Sequence, residues 1–146
     1  MQISNELYAK ISETVEFFES FTPGELLSLL QIAESTDFAE GDVVFEEGSK
    51  SDNMYIIKAG SVSISHSING KEEVLGEAGV GECFGEMGAV DEAPRSATVT
   101  VVNGPATILS ISSGVLSEKN KDVALKFFQS FAKVLSGRLR ELNKKS

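Results

Sequence analysis

The chain holds a single cysteine, a single histidine and only three prolines in 146 residues. One cysteine, Cys83, excludes an intrachain disulfide and suits a reducing compartment. Placed beside Phe84, it reads as a small buried hydrophobe rather than a reactive thiol. One histidine, His66, leaves no His/carboxylate cluster of the kind a metal-dependent enzyme needs. Cations are scarce over most of the chain. Residues 1–110 carry five Lys/Arg against 19 Asp/Glu, a balance of −14. That body repels phosphate backbones, so broad nucleic-acid binding is disfavoured. Residues 111–146 carry +5, a basic tail that either faces solvent or meets an acidic partner; solvent is the simpler reading. Glu6, Lys10 and Glu13 interrupt any early apolar run, so no signal peptide is read. The 22 uncharged residues Ser96–Ser117 match a bilayer span in length. Asn103-Gly104-Pro105 at their centre, with many Ser and Thr, fits two strands and a turn better, so no membrane span is read. Internal repeats, low-complexity tracts and Pro/Gly/Ser-rich linkers are also missing.

What is present reads as one domain over residues 1–146 with one core: a helical N-terminus (1–37), a β-roll (38–111) and C-terminal helices (112–146). Leu7, Ile11, Val15 and Phe18 recur at helical spacing. "TPGELLSLLQIAE" opens a second helix, with Thr22 as N-cap, Pro23 at N1 and Glu25 at N3 of a capping box. From about Phe38 the period changes to two. Candidate strands are Val43–Phe45, Met54–Lys58, Ser61–Ile68, Glu72–Leu75, Ala97–Val102 and Thr107–Ile111. Thirteen glycines punctuate the chain, and Asn69-Gly70 suits a type I′ hairpin. In Ser61–Ile68 the apolar phase is Val62, Ile64 and Ile68; His66 shares it and reads as a tolerated strand-end histidine. Short strands with tight turns predict a sandwich, jelly roll or small barrel, a fold that often encloses a small-molecule pocket.

The end is helical again. Ser112 or Ser113 can cap a short helix before Asn120, and a long helix is predicted from about Asp122 to Asn143. Its stripe is Leu125, Phe128, Ala132, Leu135, Leu139 and Leu142, with Phe127, Phe131 and Val134 in a second row. One face is expected on the roll; the other covers a ligand, meets a second copy or is also core.

The chemistry concentrates in "CFGEMGAVDEAPRSATV", residues 83–99. Arg95 is the only Lys or Arg between Lys71 and Lys119. A helical turn over Glu86–Val90 would offer free backbone N–H groups to an anion. Pro94 fixes the approach to Arg95, whose guanidinium fork binds two phosphate oxygens. Ser96 adds a hydroxyl, and Ala97 permits close backbone approach. Glu86 is an acceptor suited to a ribose 2′-OH. A phosphate monoanion with a free 2′-OH describes a 3′,5′-cyclic nucleotide; a triphosphate would also need a G-x-x-x-x-G-K-[ST] loop, which is absent. On spacing alone, a Glu86–Arg95 salt bridge explains the same residues equally well. Asp91 and Glu92 add negative charge close to the expected phosphate.

This run resembles the phosphate-binding cassette of the cyclic-nucleotide-binding domain family, the family of catabolite-activator-type regulators, cyclic-nucleotide-dependent kinase regulatory subunits and cyclic-nucleotide-gated channels. Phe84-Gly85-Glu86, Ala89-Val90 and Pro94-Arg95-Ser96-Ala97-Thr98-Val99 carry the match without a gap. "GDVVFEEGSKSDNMYIIKAGSVSIS" is similar to the family's early strands, so the resemblance extends from about Phe18. It implies a mainly β fold with flanking α-helices: a jelly-roll β-barrel of about eight strands, N-terminal helices and a C-terminal helix pair. It implies that Arg95 binds the cyclic phosphate and Glu86 the ribose 2′-OH, with backbone amides near Gly85–Met87 and at Ala97, and it counts Phe84 among the binding residues. Ser96 would contact phosphate or base, and Ile64 and Leu75 would line the sugar–base cavity. The ligand is cAMP or cGMP. Ser96 does not decide between them, since a hydroxyl after the arginine occurs in receptors for both; the reading favours cAMP.

The implied role is a cytoplasmic, non-catalytic, regulatory module in signal transduction, without cofactor or metal. It would act through its C-terminal helix on a protein partner or a second copy. A metal-dependent cupin and a structural domain with a vestigial pocket are the competing classes. Only "NKKS" follows the last helix, too little for a helix-turn-helix, kinase or channel. A stand-alone sensor or one domain of a longer protein is expected, and Met1 favours the first.

Overall fold

A computed structural model describes residues 21–85, 94–112, 114 and 121–145. The helix expected over Leu7–Phe18 and the turn expected over Glu86–Val90 lie outside those residues, as does most of the short helix before Asn120.

Helix α1, Pro23–Gln31, begins with the expected capping box. Glu25 N–H donates to Thr22 Oγ1 (3.2 Å), and Thr22 N–H donates to Glu25 Oε1 (2.9 Å). These bonds satisfy donors that a helix start otherwise leaves unpaired. The Thr22 N–H bond, the Thr22 side chain and Lys126 at 3.9 Å hold the Glu25 carboxyl below its ordinary pKa. A carboxyl with a depressed folded pKa stabilises fully above its unfolded pKa and loses that contribution as pH falls through the folded one. Thr22→Ala is expected to cost about 1 kcal/mol. Thermal unfolding near neutral pH checks this, as a drop in Tm of roughly 2–4 °C. An unchanged Tm would show that the cap contributes nothing.

The strands form one antiparallel sheet: β1 Glu34–Phe38, β2 Val43–Phe45, β3 Asn53–Ile68, β4 Lys71–Ala78, β5 Cys83–Phe84 and β6 Thr98–Ser112. The order is β1-β6-β3-β4, with β2 also on β6 and β5 also on β3. Strands β3 and β6 are the spine, paired from Asn53↔Ser112 to Ser65↔Thr98. Period-two alternation on the spine divides the core. Met54, Ile56, Leu109 and Ile111 face Phe21, Leu26, Leu29 and Leu30 from the α1 region and Val123, Ala124 and Phe127. Tyr55, Ile57, Ala106 and Ile108 gather with Val62, Ala78, Phe84, Val99 and Val101, a cluster that among the described residues comes from strands. Burial on both faces explains why Met54–Ile57 is continuously apolar.

Two expectations are corrected. The helical N-terminus is expected to reach residue 37, but α1 ends at Gln31 and Glu34–Phe38 is a strand in register with Ser110–Ala106. "ESTDF" has no apolar alternation to announce it, because its residues are exposed up to the half-buried Phe38. The closed roll of about eight strands is, among the described residues, an open sheet of six. Met54–Lys58 and Ser61–Ile68 fuse into β3, and the two strands expected around Asn103-Gly104-Pro105 fuse into β6. The glycine and turn residues bend these strands without ending them. Register shifts flank Ala59, and Asn103 and Gly104 adopt positive φ of 60° and 101°. At the free edge, β4 is exposed and charged at Lys71, Glu72, Glu73 and Glu77, which opposes further strand pairing. Of the expected C-terminal helix pair, the described residues contain only the long member in full, α2 (Lys121–Lys145).

The Asn69-Gly70 turn has positive φ at both residues, 54° and 80°. In α2, Phe127 of the second apolar row is fully buried, whereas Leu125, Phe128, Leu139 and Leu142 of the first row are exposed.

Candidate functional site

Arg95 is placed by three distant segments. Strand β2 leads into a turn around Glu46–Ser49, where Gly48 takes a φ of 88°. That turn holds the arginine backbone from both sides. Arg95 N–H donates to the Ser49 carbonyl (2.7 Å), and Gly48 N–H donates to the Arg95 carbonyl (2.8 Å). Glu47 N–H donates to Thr98 Oγ1 (2.9 Å), extending the contact into β6.

The side chain turns inward and leaves Arg95 only 6% exposed. Nη1 donates to the Gly85 carbonyl (3.0 Å), after β5, and Nη2 to the Asn53 carbonyl (2.6 Å), at the start of β3. The guanidinium carbon lies 4.4 Å from the Phe45 ring centroid and 5.8 Å from that of Tyr55. Phe84 stacks on Tyr55 with centroids 5.2 Å apart, and Phe45 completes a three-ring cluster.

Gly85 is required here on two counts. Its φ is +77°, and an added Cβ would lie 3.0 Å from Arg95 Nη1 and 3.2 Å from both the Asn53 carbonyl oxygen and Tyr55 Cδ2. A side chain would occupy the space through which the guanidinium reaches the Gly85 carbonyl.

Electrostatically this is an unusual place for a cation. Removing a charge from water is costly unless it is paired and hydrogen-bonded. Among the described residues Arg95 has no carboxylate partner, whereas Lys126 lies 3.9 Å from Glu25. Its two carbonyl bonds supply dipoles and do not cancel the charge. Nε is buried with no hydrogen-bond partner. Among the described residues the guanidinium is thus desolvated, held by neutral groups and left with an unpaired Nε, features that an anion receptor can use.

The structure brings Phe84, Gly85 and Arg95 into one cluster. Ser96 follows at an exposed bend, and Ala97 is buried immediately before β6. Ile64 is half-buried against the same apolar cluster as Phe84. Leu75 lies elsewhere: it is unpaired opposite the Ile64/Ser65 register shift and is 54% exposed on β4. Glu86 and Met87, and with them the alternative Glu86–Arg95 ion pair, lie outside the described residues, as do Asp91 and Glu92.

Phe45, Asn53 and Tyr55 also surround the guanidinium, and no local sequence signal assigns them there. Phe45 and Arg95 are fifty positions apart, and a strand pattern shows only that Phe45 is apolar. The turn glycine, Gly48, is visible as punctuation, but nothing in its neighbourhood indicates that the turn clasps Arg95.

Among the described residues no group of three His, Cys, Asp or Glu side chains is placed to hold a metal ion. No described helix is long and apolar enough to cross a membrane.

The class of protein follows from an antiparallel sheet packed on helices, taken together with the family comparison. The sequence profile of the cyclic nucleotide-binding domain matches residues 35–119, a span covering β1 through β6, and the chain belongs to that family. It is 31% identical over 93 residues to a cAMP-dependent protein kinase regulatory subunit from Mycosarcoma maydis, covering 64% of this chain and 18% of that protein. It is 33% identical over 86 residues to a CRP-like cAMP-activated global transcriptional regulator from Mycobacterium tuberculosis, covering 58% of this chain and 38% of that one. The chain thus spans well under half the length of these relatives. Among solved structures, the N-terminal domain of a transcriptional regulator from Streptomyces coelicolor superposes with a TM-score of 0.77 at 26% identity, covering 92% of this chain and 95% of that one.

Proposed function

We propose that this chain is a sensor for a 3′,5′-cyclic nucleotide, binding cAMP in preference to cGMP, and that it reports occupancy to a protein partner through α2. Family membership supports cyclic-nucleotide sensing and regulation in general. The preference for cAMP is carried from the names of the kinase subunit and the transcriptional regulator. The observation that carries the site is the buried Arg95 guanidinium, whose bonds among the described residues go to neutral carbonyls.

In this reading Arg95 receives the cyclic phosphate and Glu86 the ribose 2′-OH. The amides near Gly85–Met87 and at Ala97 complete the phosphate contacts, Ser96 adds a hydroxyl, and Ile64 borders the sugar and base. Residues 1–146 act as one non-catalytic cytoplasmic domain, with no metal or cofactor and no nucleic acid. Output follows if the ligand favours one position of α2 over another, since only a difference in affinity between two states shifts their balance. Its exposed Leu125, Leu139 and Leu142 suit a protein partner or a second copy.

Calorimetric titration with cAMP, cGMP and cyclic dinucleotides tests the reading. The expected result is saturable binding at one site per chain, tightest for cAMP. Tighter binding of cGMP would overturn the preference, and no saturable heat with any of the three would overturn the function.

A further inference from the structure

A buried arginine that serves as an anion receptor faces two conflicting demands. It must be held rigidly, and its charge must not be spent on whatever holds it. A carboxylate would hold it but would compete with the ligand for the same donors. The described surroundings contain neutral supports only: two backbone carbonyls at the ends of the fork, and the Phe45 ring, over which the guanidinium carbon lies.

We propose that Phe45 is a positioning residue for this receptor, holding the Arg95 guanidinium in its plane without discharging it. The inference rests on the assignment of Arg95 to the ligand phosphate. Three observations support it. The first is distance: at 4.4 Å from the centroid, the guanidinium carbon is well inside the range of about 6 Å over which a ring quadrupole attracts a cation, whereas Tyr55 at 5.8 Å is near its limit. The second is support for the ring itself. Phe45 contacts Tyr55 and Phe84 at centroid distances of 5.6 Å and 5.9 Å, so its orientation is fixed by rings from β3 and β5. The third is chain connection. Phe45 ends β2 just before the turn whose Gly48 and Ser49 bind the Arg95 backbone. One short segment therefore grips both the main chain and the side chain of the arginine. A planar guanidinium can use such a face; a lysine ammonium has no matching plane.

The quadrupole can be weakened without changing the packing, and that separates positioning from core filling. Site-specific fluorinated phenylalanines at position 45 are titrated with cAMP in the full chain. Affinity is expected to fall stepwise with each added fluorine, while the Tm stays close to that of the wild type. Phe45→Leu is expected to weaken binding by roughly 2- to 30-fold, and Phe45→Tyr to restore it to within about twofold. In an Arg95→Lys background Phe45→Leu should have little further effect. Equal affinity across the fluorinated series, or an equal loss from Phe45→Leu in both backgrounds, would overturn the proposal.

The ligand-free protein provides an independent reading. The Arg95 Nε–H resonance is expected upfield of a free arginine through the ring current, moving back in Phe45→Leu. A resonance at the free-arginine position would overturn the stacking even if cAMP binds. If the wild type shows the upfield resonance but binds no cyclic nucleotide, the sensing function and the positioning role for it fall, while the stacking stands.

Discussion

Arg95→Ala is expected to weaken cyclic-nucleotide binding by about tenfold to more than a hundredfold, since each charge-assisted hydrogen bond contributes roughly 1.5–3 kcal/mol. The expectation follows from the way the residue is held. Nη1 and Nη2 are fixed by the Gly85 and Asn53 carbonyls, so no ordering cost remains when the ligand arrives. The residue is 6% exposed, so little water screens its attraction for a phosphate. Alanine removes the charge, the fork and the cation–ring contact together. Arg95→Lys keeps the charge and loses the other two, and it should fall between alanine and the wild type. Calorimetric titration measures the affinities, and circular dichroism establishes that each variant is folded. A folded Arg95→Ala protein with wild-type affinity would remove Arg95 from the site. Equal losses for lysine and alanine would show that geometry, rather than charge, governs binding.

Gly60→Ala is expected to have the largest effect on stability. Gly60 sits where β3 bends, with φ +91°, and an added Cβ would stand 2.7 Å from Ala106 Cα, Ala106 Cβ and the Pro105 carbonyl oxygen. Two of those atoms belong to backbone, which cannot rotate aside. Left-handed backbone costs a non-glycine residue roughly 1–2 kcal/mol. Overpacking adds about 1–3 kcal/mol. Together they predict a loss of roughly 2–5 kcal/mol, read as a drop in Tm of about 6–15 °C. Gly41, also at positive φ but with open space within 4 Å of an added Cβ, is the control. Gly41→Ala should incur the backbone cost alone. Equal losses at the two positions would mean that the contact with β6 is not what makes Gly60 necessary.

Local chemistry is legible in the sequence; long-range pairing is not. Thr22-Pro23-Gly24-Glu25 announces a capped helix because every atom of the box lies within four residues. Asn69-Gly70 announces a hairpin for the same reason, and β3 and β4 pair across it. Gly60 and Asn103-Gly104-Pro105 mislead because the same residues that terminate strands also bend them. Ser61 pairs with Val102 and Ala59 with Thr107, so the ladder continues on both sides of the irregularity. Nothing local distinguishes these outcomes. The site divides in the same way. Arg95 and Gly85 stand out through charge isolation and motif, whereas Phe45 and Asn53 reach the guanidinium only through the fold. Leu75 is expected along the ligand's sugar and base from the family resemblance, and a bulge of one residue in β4 leaves it 54% exposed.

Helix α2 has its own mechanical consequence. Among its residues whose side chains are described, Val123, Ala124, Phe127 and Ser130 are buried. Leu142 follows Phe127 by fifteen positions, about 22 Å along the axis at 1.5 Å per residue. A tilt of about 10° around Phe127 therefore carries Leu142 through about 4 Å on this geometry. Any tilt centred on Phe127 that is too small to disturb its packing would therefore be magnified at the outer end of the helix.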